Sequence, residues 1–103
     1  MLREEVETYM AEIARVMRDD ALCFITWFIK GELAKPSMSL APFDDVSFVR
    51  KRRNPSAAVA YLPTFVRDLY TRNGLVPQIH YGTWARPQGL TFQDVVIADK
   101  RPL

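Results

Sequence analysis

The sequence predicts a single α+β domain spanning residues 1–103, with N-terminal helices, a central kinked helix and a C-terminal antiparallel β-hairpin or small sheet. Three observations carry that expectation. Apolar residues recur every three or four positions through the first twenty residues, they do so again after Pro55-Ser56, and two β-favouring runs flank Arg86-Pro87-Gln88-Gly89 near the end. A chain of 103 residues that is 49% hydrophobic can build one core but not two.

Leu2, Val6, Tyr9 with Met10, Ile13, Met17 and Ala21 define the apolar stripe of the first helix, with Glu5, Glu7, Glu12, Arg15 and Arg18 mostly between them. Glu4, Glu5 and Glu7 suit the positive end of its dipole, and Arg15 and Arg18 suit the other. Asp19-Asp20 either continues this helix or caps a second one. Residues 21–29 (Ala-Leu-Cys-Phe-Ile-Thr-Trp-Phe-Ile) are apolar on every side, so a strand and a buried helix both fit. Thr, Trp, Phe and Ile favour a strand locally. Helical spacing nevertheless continues through Phe24 and Phe28, and Gly31 stands where a C-cap would, so a helix is the expected element.

Pro36, Pro42 and several serines make residues 32–45 an ordered loop or a short helical turn, and residues 46–53 follow as a short strand. Val59, Leu62, Val66 and Leu69 then repeat at helical spacing until Asn73-Gly74 stops them. Pro63 inside that run predicts a kink, or two short helices with Thr64 capping the second. Residues 75–85 and 90–98 read as strands, with Pro87 and Gly89 placed as in a type I turn between them.

The longest apolar stretch, 21–29, falls well short of the roughly 20 residues that cross a bilayer. The acidic start Arg3-Glu4-Glu5-Val6-Glu7 is unlike a secretory signal, so a cytoplasmic protein without membrane contact is expected. Cys23 is the only cysteine, which rules out an intramolecular disulfide and a cysteine-rich metal site and leaves a small buried hydrophobe as its expected role. The four glycines are scattered, with no phosphate-binding or dinucleotide loop, so no cofactor is expected.

His80, the only histidine, could serve Cys23 or Ser56 as a base, although no local spacing brings them together. Asp44 and Asp45 with Asp94 or Asp99, and Lys100 nearby, sketch a divalent-metal nuclease site, but adjacent aspartates more often cap a turn. No catalytic residue and no metal ligand is therefore assigned, and a small hydrolase or nuclease subunit ranks third among the functional readings.

Charge is unevenly spread although the net value is only +2. Residues 1–20 hold three basic and six acidic side chains, whereas residues 50–72 hold six basic ones against Asp68 alone. Arg50, Lys51, Arg52 and Arg53, aided by Arg67, Arg72 and Arg86, could contact a nucleic-acid backbone or an acidic protein through charge alone. A winged-helix picture follows, with residues 64–72 in a groove and Arg86 at the wing tip. It lacks the preceding short helix, and Phe65, Asp68, Leu69 and Tyr70 are poor readers of base edges.

The leading expectation is a non-catalytic protein-interaction or regulatory domain that forms a homo-oligomer, most simply a dimer. One small domain has difficulty covering every large side chain of 21–29, and a contiguous exposed apolar patch marks an interface. The expected contact residues are Leu22, Ile25, Trp27, Phe28 and Ile29, joined by the aromatic Tyr81 and Trp84.

Overall fold

The structure, a computed structural model, describes residues 2–30, 40–49, 59–84 and 91–100. In these, two helices and six strands follow one another as α1 (Arg3–Val16), β1 (Leu22–Trp27), β2 (Ala41–Pro42), β3 (Ser47–Val49), β4 (Val59–Tyr61), α2 (Pro63–Arg72), β5 (Leu75–His80) and β6 (Asp94–Lys100). Two antiparallel three-stranded sheets result, ordered β1-β6-β5 and β2-β3-β4. The expected arrangement of N-terminal helices and a kinked central helix is thereby overturned. Gly31, the run Arg50, Lys51, Arg52 and Arg53, the Pro55-Ser56 start, and Arg86 with its turn all lie outside the described residues.

α1 buries Val6, Met10 and Ala14 and leaves its Glu and Arg side chains outward. At its start the Glu5 carboxylate accepts the Leu2 N–H at 3.2 Å. At its end Lys100 Nζ donates to the carbonyls of Ala14 and Met17 at 2.8 and 2.9 Å, so an ammonium from the last strand satisfies orphan acceptors at the negative end of the helix.

Residues 22–27 form a strand, not the expected helix. The helical spacing seen across Asp19-Asp20 is interrupted by a turn, in which the Ala21 N–H bonds the Arg18 carbonyl at 3.1 Å. The strand divides the apolar side chains of this segment between two faces. Cys23 and Trp27 are buried, with Ile25 partly so beside them, while Leu22, Phe24 and Thr26 alternate onto the opposite face.

The central helix is not kinked. Pro63 is its first residue, where the missing N–H costs nothing and the fixed φ is already helical. Its upstream neighbours, Val59–Tyr61, form a strand. Gly74, at φ 74°, ends the helix in the left-handed conformation that glycine adopts at little cost. Residues 41–42, expected in a loop or helical turn, pair as a short strand with β3.

The C-terminal strands also depart from a simple hairpin. β5 and β6 are antiparallel neighbours, with Leu75 opposite Lys100 and His80 opposite Val95, but β6 is the central strand of a sheet whose other edge is β1. Trp27 there lies opposite Asp94 and Leu22 opposite Asp99. Both helices cover one face of this sheet, where Trp27, Val96, Ala98 and Leu75 join Met10, Val66, Leu69 and Tyr70 in the main core. The Trp27 indole sits between Tyr61 and Tyr70 and donates to Tyr70 Oη at 3.0 Å.

β1 and β4 meet where one sheet passes to the other. The Tyr61 N–H bonds the Phe28 carbonyl and the Lys30 N–H bonds the Tyr61 carbonyl, each at 2.9 Å, which makes a parallel bridge at Ile29. Asp94 holds this junction. Its Oδ2 accepts the Ile29 N–H at 2.7 Å and the Trp84 indole N–H at 2.6 Å, and its Oδ1 accepts the Gly82 N–H at 2.6 Å.

Candidate functional site

The helices cover one side of the β1-β6-β5 sheet, and the other side carries the candidate site. Strand alternation and register define it as three cross-strand rows: Leu22–Asp99–Val76, Phe24–Ile97–Gln78 and Thr26–Val95–His80. Leu22 and Phe24 are 72% and 67% exposed, far more than a core side chain tolerates. Val76 is 36% exposed, and Ile97 lies half-buried between Phe24 and Gln78. Away from these rows, exposed Phe92 packs edge-on against Phe28, which in turn meets the buried Trp84 ring edge-on. The face is thus apolar along β1, with polar side chains toward β5.

Of the contact residues expected from the sequence, Leu22 lies on this face, whereas the half-buried Phe28 packs against buried Ala60 and Trp84. Ile25 points to the opposite face and packs partly buried against the main core, as does Tyr81 from the connection after β5. Trp27, Ile29 and Trp84 are interior residues, exposed by only 7%, 1% and 1%. Helical numbering concealed Phe24, whereas Val76 and Ile97 lay in segments read as strands whose register the sequence did not supply. A period-two reading of Leu22, Phe24 and Thr26 against Cys23, Ile25 and Trp27 would have separated the two faces of β1.

Of the basic residues singled out in the sequence, Arg67 and Arg72 are among the described ones. Arg67 is exposed on α2, while Arg72 pairs with Asp68 at 3.1 Å and with Glu7 at 3.5 Å, so acidic neighbours offset its charge. Arg3 likewise binds Asp45 at 2.9 Å and lies 5.5 Å from the Phe65 ring centroid.

Ser56 lies outside the described residues, and among the described ones the catalytic constellations are taken apart by the sheet. Cys23 is buried on the helix side, whereas His80 is exposed on the other, so the pair cannot exchange a proton directly. Burial also pushes the Cys23 thiol above its ordinary pKa, which disfavours the thiolate. Asp44 caps a turn, accepting the Val46 and Ser47 N–H groups at 2.9 and 2.8 Å. Its partial burial would raise the carboxyl pKa, but these donors and the Arg3 charge hold it below the ordinary value. Asp94 is consumed by the junction, Asp99 and Lys100 project from opposite faces, and Asp45 binds Arg3. Among the described residues no three His, Cys, Asp or Glu side chains are grouped to hold a metal ion.

No protein-family model matches the chain, and no solved structure matches it at a significant level. Among the described residues no helix is long and apolar enough to cross a membrane.

Proposed function

We propose that this chain is a non-catalytic protein-interaction domain that self-associates, most simply as a dimer, through the outer face of the β1-β6-β5 sheet. The observation that carries the reading is the exposure of Leu22 and Phe24 side by side on that face. Burying a side chain of this size contributes about 1.5–3 kcal/mol relative to leaving it in water, and an apolar patch on an otherwise polar surface marks a contact. An antiparallel sheet can keep one face wet, but that face is then ordinarily polar.

Size limits the expected strength. Three strands spaced by about 4.8 Å and six residues long present a footprint of roughly 14 by 20 Å. That is smaller than the roughly 800 Å² per partner of a standard interface, so association in the micromolar range or weaker is expected.

Sedimentation velocity from about 1 μM to about 1 mM tests the reading. Wild type should shift toward dimer with concentration, and Phe24→Asp, which places a charge in the apolar centre while leaving the helix-side core intact, should stay monomeric. A wild-type chain that is monomeric throughout would overturn the proposal.

A further inference from the structure

The direction of the main-chain groups along β1 follows from one proline. Pro77 of β5 lies opposite Ala98 of β6 and has no N–H to give, so the two form a pair whose main-chain groups point away from each other. Ala98 therefore turns its N–H and C=O toward Cys23 of β1. By alternation Cys23, Ile25 and Trp27 bond β6, while Leu22, Phe24 and Thr26 present their N–H and C=O groups at the edge of β1 away from β6. The chain beyond the strand agrees. On the same alternation, the Phe28 C=O and the Lys30 N–H both bond Tyr61 of β4, and the Ile29 N–H turns back to Asp94 of β6.

From Leu22 to Thr26 that edge pairs with no strand among the described residues. It also lacks the features that keep sheet edges apart, since residues 22–27 contain no proline and no charged side chain. The opposite edge of the same sheet is blocked, because Pro77 turns its ring nitrogen outward near the middle of β5. In the second sheet the edge strand β2 is two residues long and ends in Pro42.

We propose that this edge is taken by β1 of a second copy, running antiparallel about a two-fold axis at Phe24, so that two three-stranded sheets become one of six strands. This rests on the self-association reading above and places the contact at the margin of the apolar face.

Three features select a second copy in this register. Centring on Phe24 sets Phe24 against Phe24, and Leu22 against Thr26 of the other copy. All three residues carry outward main-chain groups, so six hydrogen bonds close with none left over. Pairing Phe24 with Cys23 or Ile25 would oppose outward groups to groups turned toward β6, and pairing Leu22 with Phe28 would meet a C=O already bonded to Tyr61. Secondly, the exposed side chains become cross-strand neighbours, an aromatic pair at the axis flanked by two Leu22–Thr26 pairs. Thirdly, the pairing is self-limiting: it uses the open edge of each copy and leaves the edge blocked by Pro77 outermost, so the assembly closes at two chains.

Amide exchange resolved by NMR tests this on the wild-type chain, at concentrations where sedimentation gives mostly monomer and then dimer. In the monomer the N–H groups of Leu22, Phe24 and Thr26 should exchange rapidly, and those of Cys23, Ile25 and Trp27 slowly. Protection of the first three should rise in step with the dimer fraction, to about tenfold when about nine-tenths of the chains are paired. Thr26→Pro removes an outward N–H and leaves Leu22, Phe24 and the bonds to β6 in place, and it should weaken self-association by about tenfold or more.

A dimer in which those three amides exchange as in the monomer would overturn the edge pairing, as would a folded Thr26→Pro chain that dimerises like wild type. In either case loss of the dimer in Phe24→Asp keeps the face as the contact, and only its edge geometry falls. If Thr26→Pro does not fold, the exchange measurement decides alone. A wild-type chain that stays monomeric would remove both readings together.

Discussion

Asp94 is an acidic residue whose work is structural. At 1% exposure its carboxylate joins the Ile29 N–H of the chain leaving β1 to the Gly82 N–H and Trp84 indole of the connection after β5. Gly82 belongs to the same arrangement, because a Cβ there would collide with the backbone of Phe92 and Gln93. Removing a buried acceptor leaves each of its donors to bear a desolvation cost of about 1–3 kcal/mol. Asp94→Ala should therefore lower unfolding stability by about 3 kcal/mol or more, read from urea denaturation, whereas a loss below about 1 kcal/mol would show that the donors find other partners. A charge-based search of the sequence groups Asp94 with Asp44, Asp45 and Asp99 as metal ligands. What separates it is the tertiary placement of two N–H groups and an indole, none of which is adjacent to it in sequence.

At the scale of elements, Pro63 and the 22–27 segment show the limits of periodicity. The apolar spacing of Val59, Leu62, Val66 and Leu69 is helical, yet Val59 belongs to β4 and the helix begins four residues later at the proline. Both placements bury Val59, so burial pattern alone does not distinguish them. The position of Pro63 has a signed consequence. At the first helical position its rigidity is compatible with the fold, so Pro63→Ala should destabilise by up to about 1 kcal/mol in chemical denaturation. An internal kink would give the opposite sign, with alanine stabilising by as much as about 3 kcal/mol. In residues 22–27 the β-favouring composition was the informative signal. The competing helical spacing came from joining two segments that a turn separates, and only the pairing of β1 with β6 resolves the choice.

Across the whole molecule, the buried phenols couple folding to alkaline pH. Burial raises both Tyr61 and Tyr70 well above the ordinary tyrosine pKa, with the charges of Asp44 and Glu5 adding to the effect at Tyr61 and the Trp27 hydrogen bond partly opposing it at Tyr70. A folded pKa above the unfolded one means that the contribution is complete below the unfolded value near 10 and is lost as pH rises from there toward the folded values. Thermal melts should be flat from about pH 7 to about pH 9 and fall steeply above about pH 10, with the tyrosinate absorbance of these two residues appearing together with unfolding. Full tyrosine titration in a chain that stays folded would contradict the burial of these rings. Asp44 has the opposite linkage: its lowered carboxyl pKa contributes stability above the unfolded value near 4, lost as pH falls through the folded one.

Local chemistry alone determined the first helix, whose one-sided apolar stripe and acidic first turn agree with each other, and the helix stop at Gly74, where one residue type suits the required φ. It also determined that Cys23 forms no intramolecular disulfide and that residues 21–29 are too apolar for one covering element to hide. Tertiary structure decided which side chains of that segment are hidden. A helix and a strand bury different subsets of the same apolar residues, and the free-energy difference between them comes from β6 and from the two helices on one face, all distant in the chain. The same non-local pairing sets Leu22, expected at a contact surface, beside Phe24 on one exposed face and sends Trp27 and Ile29, expected there too, into the interior.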